Sequence, residues 1–150
     1  MVLRVAQALE GAGLEVQLVV RDTELAELGL PLLHEPPRPG FHPLQGLSAV
    51  LKSLEPGECA VVAPCDMPWL CVDSIHALLA GGAPAVASDG QRIHPLLCLV
   101  PGDWGPRVEE VLGRGGAARE LFTEVRQVVL DSAQLVNINR IEDLKAVHSS

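Results

Sequence analysis

The sequence predicts a three-layer α/β domain with a mostly parallel sheet, on three observations. Short apolar runs alternate with helical patterns along the whole chain. Those runs, "CAVVA" (59–63) and "LLCLV" (96–100) above all, lack a polar face, as strands covered by helices on both sides do. Glycine and proline punctuate the joints between the two kinds of segment. At 150 residues, one domain with a substantial core is the simplest organisation.

The elements follow in order. Val2, Val5, Leu9 and Ala12 recur at helical spacing, and Gly11 and Gly13 end that helix. "LEVQLVV" (14–20) reads as a strand. "RDTELAELGL" (21–30) reads as a turn and short helix capped by Asp22 or Thr23. "PLLHE" (31–35) is a short strand. "PPRPGFHP" (36–43), with four prolines and a glycine, is an extended loop. A helix runs through "LQGLSAVLKSL" (44–54) and stops at Pro56-Gly57, and "CAVVA" is the most strand-like run. "VDSIHALLAGG" (72–82) is a helix closed by glycines. "PAVASDGQRIHPLLCLV" (84–100) reads as two strands joined at Asp89-Gly90, a hairpin signal. One or two helices span 103–125, "RQVVL" (126–130) is a strand, and "NINRIEDLKAV" (137–147) closes the chain with a helix. Asn139 and Glu142 give that last helix a capping box.

Composition excludes several classes of function. The net charge is −8 with only two lysines, Lys52 and Lys145, so no basic stripe exists for a nucleic-acid polymer. No apolar run reaches the ~18 residues of a membrane span, and no signal peptide is recognisable. These features predict a cytoplasmic protein. Cys59, Cys65, Cys71 and Cys98 form no C-x-x-C pair, so they are expected to be reduced, buried packing residues rather than zinc ligands.

Four places could carry chemistry. In "VVAPCDMPWL" (61–70), Asp66 follows a strand that Pro68 prevents from continuing. It is either a turn or capping residue, or a hard oxygen ligand for Mg²⁺ at the edge where open α/β sheets bind ligands. In "HPLQGL" (42–47), Pro43 suits a helix start and Gly46 a close approach. That segment is an ordinary helix entry or an anion or base-edge site. In "NINRIEDL" (137–144), Asn139 is explained by capping and Asn137 is not. His94, in His94-Pro95 ahead of a strand, is a hydrogen-bonded structural residue or a catalyst.

In their order and spacing, "HEPPRPGFHPLQGLSAVL", "VVAPCDMPWL", "DGQRIHPLLCLV" and "NINRIEDL" resemble the molybdenum cofactor guanylyltransferases. These are Mg²⁺-dependent enzymes of the nucleotidyltransferase family with a Rossmann-like α/β fold. They join GMP from GTP to molybdopterin cofactor and release pyrophosphate. The resemblance implies that Asp66 holds Mg²⁺ and nucleotide phosphate. It implies that Asn137 and Asn139 lie near the reaction centre, and that Pro43, Leu44 and Gly46 lie at the nucleotide. Glu35 falls beside the guanine, and His94 and Pro95 on the pterin side. The implied partners are GTP and molybdopterin, with molybdoenzymes or other cofactor-biosynthesis proteins beyond them. A cytidylyltransferase, a phospholactate guanylyltransferase, or a non-catalytic pterin-binding scaffold are the alternatives.

The chain departs from that family's pattern at three places. His42 replaces the first glycine of G-P-L-x-G. Arg21-Asp22 stands where asparagine is frequent. Such proteins also open with a strand and a Gly-rich loop bearing Arg and Lys, whereas this chain starts in the helix that follows. The expectation is a nucleotidyltransferase-like domain truncated at its N-terminus, with the first strand missing from the sheet. Two inner strand edges would then lack partners, GTP binding would be weak, and catalysis would be slight.

Overall fold

The structure is a computed structural model that describes residues 2–20, 29–35, 40 and 42–137. Most of the expected turn and helix of 21–30, most of the 36–43 loop and the C-terminal helix with its capping box lie outside these residues.

Helix α1 (Val2–Gly11) buries Val5, Ala6 and Ala8. Gly13, at φ +88°, closes it, with Gly13 N–H on Glu10 O and Leu14 N–H on Leu9 O. That is a Schellman stop, which needs a left-handed residue where glycine stands. A Cβ on Gly11 would lie 2.8 Å from Val72 Cγ2, so that glycine lets α1 approach α3 (Val72–Leu79). Strand β1 is only Leu18–Val20, shorter than the expected 14–20. It pairs in parallel with β2 (Leu32–His34), Leu18 opposite Leu32.

Helix α2 (Leu44–Ser53) leads from β2 to β3 (Cys59–Val62). Strands β4 (Ala85–Ser88) and β5 (Ile93–Pro101) form the expected hairpin. Its turn is held by Asp89 Oδ1, which accepts from Gln91 N–H (2.8 Å) and Arg92 N–H (2.9 Å). The Arg92 and then the Gln91 amide hold the Asp89 carboxyl below its ordinary range. Helix α4 (Gly105–Gly113), a 3-10 turn at Ala118–Phe122 and β6 (Arg126–Val129) follow. The main sheet has the order β3-β5-β4-β6. β3, β4 and β6 run one way and β5 runs against them.

His94 and Pro95 lie inside β5, not ahead of it. A proline in a central strand would normally break a ladder. Here the register jumps from Val86–Cys98 to Ala87–His94, and the β3 ladder ends at Val62–Cys98. Pro95 therefore falls in a bulge where neither neighbour asks for its missing N–H.

Alternation along the strands builds the three layers. Ala85, Ala87, Leu97 and Leu99 pack with Val5, Ile75 and Leu78 on one face. Val86, Cys98 and Val100 pack with Leu44, Leu47, Val108 and Phe122 on the other. The strands form two separate sheets among the described residues. β1 and β3 are not paired with each other, and a cleft of about 800 Å³ lies between them.

The cysteines correct one expectation. All four are free, but only Cys98 is buried, and burial pushes its thiol up to about 12. Cys59 opens β3 at a solvent-facing end and Cys65 sits in the turn after it, so both are exposed, while Cys71 is half-buried at the start of α3. Partial burial, and then the Asp66 charge beside it, raise the Cys65 thiol.

Candidate functional site

One edge of the main sheet carries Asp66 and His94. β3, β4 and β6 all end there, and β5 begins there. Asp66 lies in the turn after β3, held between buried Met67 and Pro68 on one side and Cys65 on the other. Its Oδ1 is buried and has no hydrogen-bond partner. A carboxylate oxygen is not normally left in that state, because an unmet buried acceptor costs about 1–3 kcal/mol.

His94 reaches the same edge from β5, opposite Ala87. Its Nε2 is also buried without a hydrogen bond; the nearest carboxylate, Asp89 Oδ2, stands at 3.8 Å. Asn137 follows β6 and a 3-10 turn (Ser132–Leu135), and it is exposed. No hydrogen bond or ion pair joins Asp66, His94 and Asn137 among the described residues. Asn139 lies outside them.

The second part of the site is the start of α2. Glu35 follows β2, its N–H on Val20 O. A Cβ on Gly46 would lie 3.2 Å from Glu35 Oε1, so the missing side chain is what lets that carboxylate lie over the first turn of α2. Leu44 is fully buried and anchors the turn, with Pro43 at the cap position. Glu35 thus lies beside the first turn of α2 that Pro43, Leu44 and Gly46 form.

His42 has a role that the sequence did not reveal. Leu44 N–H donates to His42 Nδ1 at 3.1 Å, and Nε2 lies 2.8 Å from Gly116 O. With Nδ1 accepting, Nε2 carries the proton and donates to that carbonyl. One imidazole thus caps α2 and ties it to the end of α4. Gly115 (φ +68°) and Gly116 form the second Schellman stop, with Gly116 N–H on Val111 O, and this presents the carbonyl. The partner is 74 positions away, which no local pattern announces. His42→Ala is expected to cost about 1–3 kcal/mol, a cap plus a hydrogen bond. His42→Asn, which keeps a capping acceptor, should recover part of that in a thermal melt.

No cluster of three or more His, Cys, Asp or Glu side chains suited to a metal occurs among the described residues. Mg²⁺ does not require one, since it commonly takes one or two carboxylates and fills its shell with water and phosphate oxygens. The lone, unpartnered Asp66 oxygen fits that mode. Among the described residues no helix is long and apolar enough to cross a membrane.

A profile of the MobA-like NTP transferase domain matches residues 1–129. The chain belongs to the MobA-like NTP transferase family. It is 33% identical over 125 residues to a molybdenum cofactor guanylyltransferase of Serratia proteamaculans, covering 78% of this chain and 63% of that protein. It is 36% identical over 142 residues to one from Cereibacter sphaeroides, covering 83% and 67%. The chain therefore spans a little under two thirds of the Serratia protein. In fold it matches the molybdopterin-guanine dinucleotide biosynthesis protein A of Archaeoglobus fulgidus, with a TM-score of 0.69 at 20% identity over 97% of this chain and 84% of that one. A putative protein from Aquifex aeolicus VF5 gives 0.79 at 19% identity, over 93% and 79%.

Proposed function

We propose that this domain serves a guanylyltransferase of molybdenum cofactor biosynthesis, a cytoplasmic enzyme that moves GMP from GTP to molybdopterin. The observation that carries this reading is the buried Asp66 Oδ1, left without a partner just beyond the end of β3 in a chain of this family, at the kind of strand end where open α/β sheets bind ligands. Asp66 would hold Mg²⁺, which when bound supplies charge neutralisation on the triphosphate. Glu35, with Pro43, Leu44 and Gly46, would receive the guanine end. His94 and Pro95 would border the pterin, and Asn137 with Asn139 the reacting phosphates.

In the reaction, an oxygen of the pterin's terminal phosphate bonds to the α-phosphorus of GTP. The bond from that phosphorus to the bridging oxygen breaks, and pyrophosphate leaves. No covalent intermediate is needed, so the chain's own task is to hold the two phosphates in line and to exclude water.

Calorimetry with GTP and CTP, each with and without Mg²⁺, tests the reading, with mass spectrometry of the pterin product beside it. Weak but Mg²⁺-dependent binding that favours GTP is expected for this chain. Preference for CTP would make it a cytidylyltransferase, and pterin binding without nucleotide binding would make it a scaffold. Asn137→Ala should lower transfer and leave the melting temperature within about 1–2 °C, because an exposed residue contributes little to stability. A matching fall in stability with transfer intact would assign Asn137 a structural role instead.

A further inference from the structure

The β4–β5 hairpin carries a carboxylate, Asp89, whose two oxygens do different things. Oδ1 belongs to the turn: Gln91 N–H and Arg92 N–H both donate to it, at 2.8 and 2.9 Å. Around it, Asp89 N–H donates to Arg92 O at 3.2 Å, and Gly90 N–H to Ser88 Oγ at 3.0 Å. Ser88 is fully buried and its carbonyl accepts from Leu130 N–H, so the base of the turn is part of the core. The carboxylate cannot rotate without losing its two amides, so the backbone sets the direction of Oδ2. The Arg92 and then the Gln91 amide also keep the carboxyl ionised near neutral pH.

Oδ2 faces His94. It lies 3.8 Å from Nε2, the buried ring nitrogen that has no hydrogen bond. That is longer than a hydrogen bond, and contacts in substrate sites are often loose until a substrate tightens them. Arg92 Nε also stands 4.0 Å from Oδ2, but its side chain is 82% exposed, so water screens that pair. The bulge at Pro95 is what brings carboxylate and imidazole together. A regular ladder continuing from Val86–Cys98 would set Leu97 opposite Ala87; the register jump sets His94 there instead.

We propose that Asp89 is a positioning residue, which fixes the proton of His94 on Nε2 and so presents the lone pair of Nδ1 to an N–H donor on the second substrate. A carboxylate accepts hydrogen bonds and gives none, so a neutral imidazole beside it carries its proton on the facing nitrogen. Nε2 is the buried nitrogen, and Nδ1 is left to meet a ligand. A lone pair there suits the ring amide and amino group of a pterin. It does not suit a phosphate, whose oxygens are acceptors too. His94 thus recognises the ring and not the phosphate of that substrate. This inference rests on the placement of the pterin beside His94 proposed above.

Asp89→Asn is the deciding variant. Its amide oxygen keeps both turn amides, and its NH2 group then faces Nε2. A donor in place of an acceptor should move the imidazole proton to Nδ1. Nitrogen-15 NMR of the full chain above neutral pH should show His94 protonated on Nε2 in the wild type and on Nδ1 in the variant. The melting temperature should stay within about 1–2 °C, whereas Asp89→Ala, which releases the turn amides, should lower it. By calorimetry a phosphorylated pterin should bind Asp89→Asn about tenfold more weakly, with Mg²⁺-GTP binding as in the wild type. In a His94→Ala background, Asp89→Asn should weaken pterin binding no further. The same tautomer in both proteins would overturn the proposal and leave Asp89 a turn residue. So would an equal weakening by Asp89→Asn when His94 is absent. An inverted tautomer in a chain whose wild type binds no pterin would support the hold of Asp89 on His94 and count against the guanylyltransferase reading.

Discussion

Asp66→Asn, in a form of the protein restored with an N-terminal Gly-rich loop, is expected to abolish Mg²⁺-dependent GTP binding and to lower GMP transfer by about 100-fold or more, with the melting temperature unchanged or slightly raised. The two halves of this expectation share one cause. Asp66 Oδ1 is buried and unpartnered, so the carboxylate contributes nothing by hydrogen bonding at that atom and carries a desolvation cost. Asparagine keeps the shape and removes the charge, which relieves that cost in the empty protein. The same change removes the anionic oxygen that a hard cation requires. A 100-fold loss corresponds to about 2.7 kcal/mol, within what loss of a ligand to a catalytic cation supplies. A variant that still binds GTP only with Mg²⁺, at the original affinity, would move the metal away from Asp66. A variant that melts far lower would make Asp66 a turn residue, the other reading that the sequence allowed.

What could be read from the sequence divides along the range of the interactions. Helices α1 to α4 and the β4–β5 hairpin were legible, because their signals are local: apolar spacing, glycine stops and the Asp89-Gly90 turn. The approach of Glu35 to Gly46 was not legible in any local signal, because it depends on β2 ending beside the first turn of α2. β1 was overread because residues 14–17 are strand-like in composition, yet they border the open cleft and have no ladder partner among the described residues. His94-Pro95 was read as lying ahead of a strand; the bulge that admits Pro95 inside β5 depends on pairing with β3 and β4 and leaves no local signal. The cysteines were misread because composition gives a residue's usual burial and not its position at a strand end. His42 escaped because its partner carbonyl is brought beside it only by the packing of α2 against α4.

That packing sets the largest stability effect expected in the molecule. Phe122 is 2% exposed, and its ring centroid lies 5.6 Å from that of Trp104. The Arg107 guanidinium lies 4.5 Å over the Trp104 ring and donates to Leu121 O at 2.8 Å, so the surroundings are tied from the outside as well. Leu44, Leu47 and Leu51 of α2 belong to the same cluster. Neighbours held this way collapse poorly into a void, and Phe122→Ala should cost about 3–5 kcal/mol. Against a typical margin of ~5–15 kcal/mol, that is a lowering of the melting temperature by roughly 10–20 °C, or loss of the folded state. The damage should centre on α2, because Leu44 anchors the turn that carries Gly46. Exchange at residues 44–51 should therefore rise more than at 72–79, on the other face of the sheet. Phe122→Leu, which refills most of the space, should keep both regions protected. If Phe122→Ala left residues 44–51 as protected as before, the start of α2 would be held by His42 alone, and the candidate nucleotide site would not depend on this core.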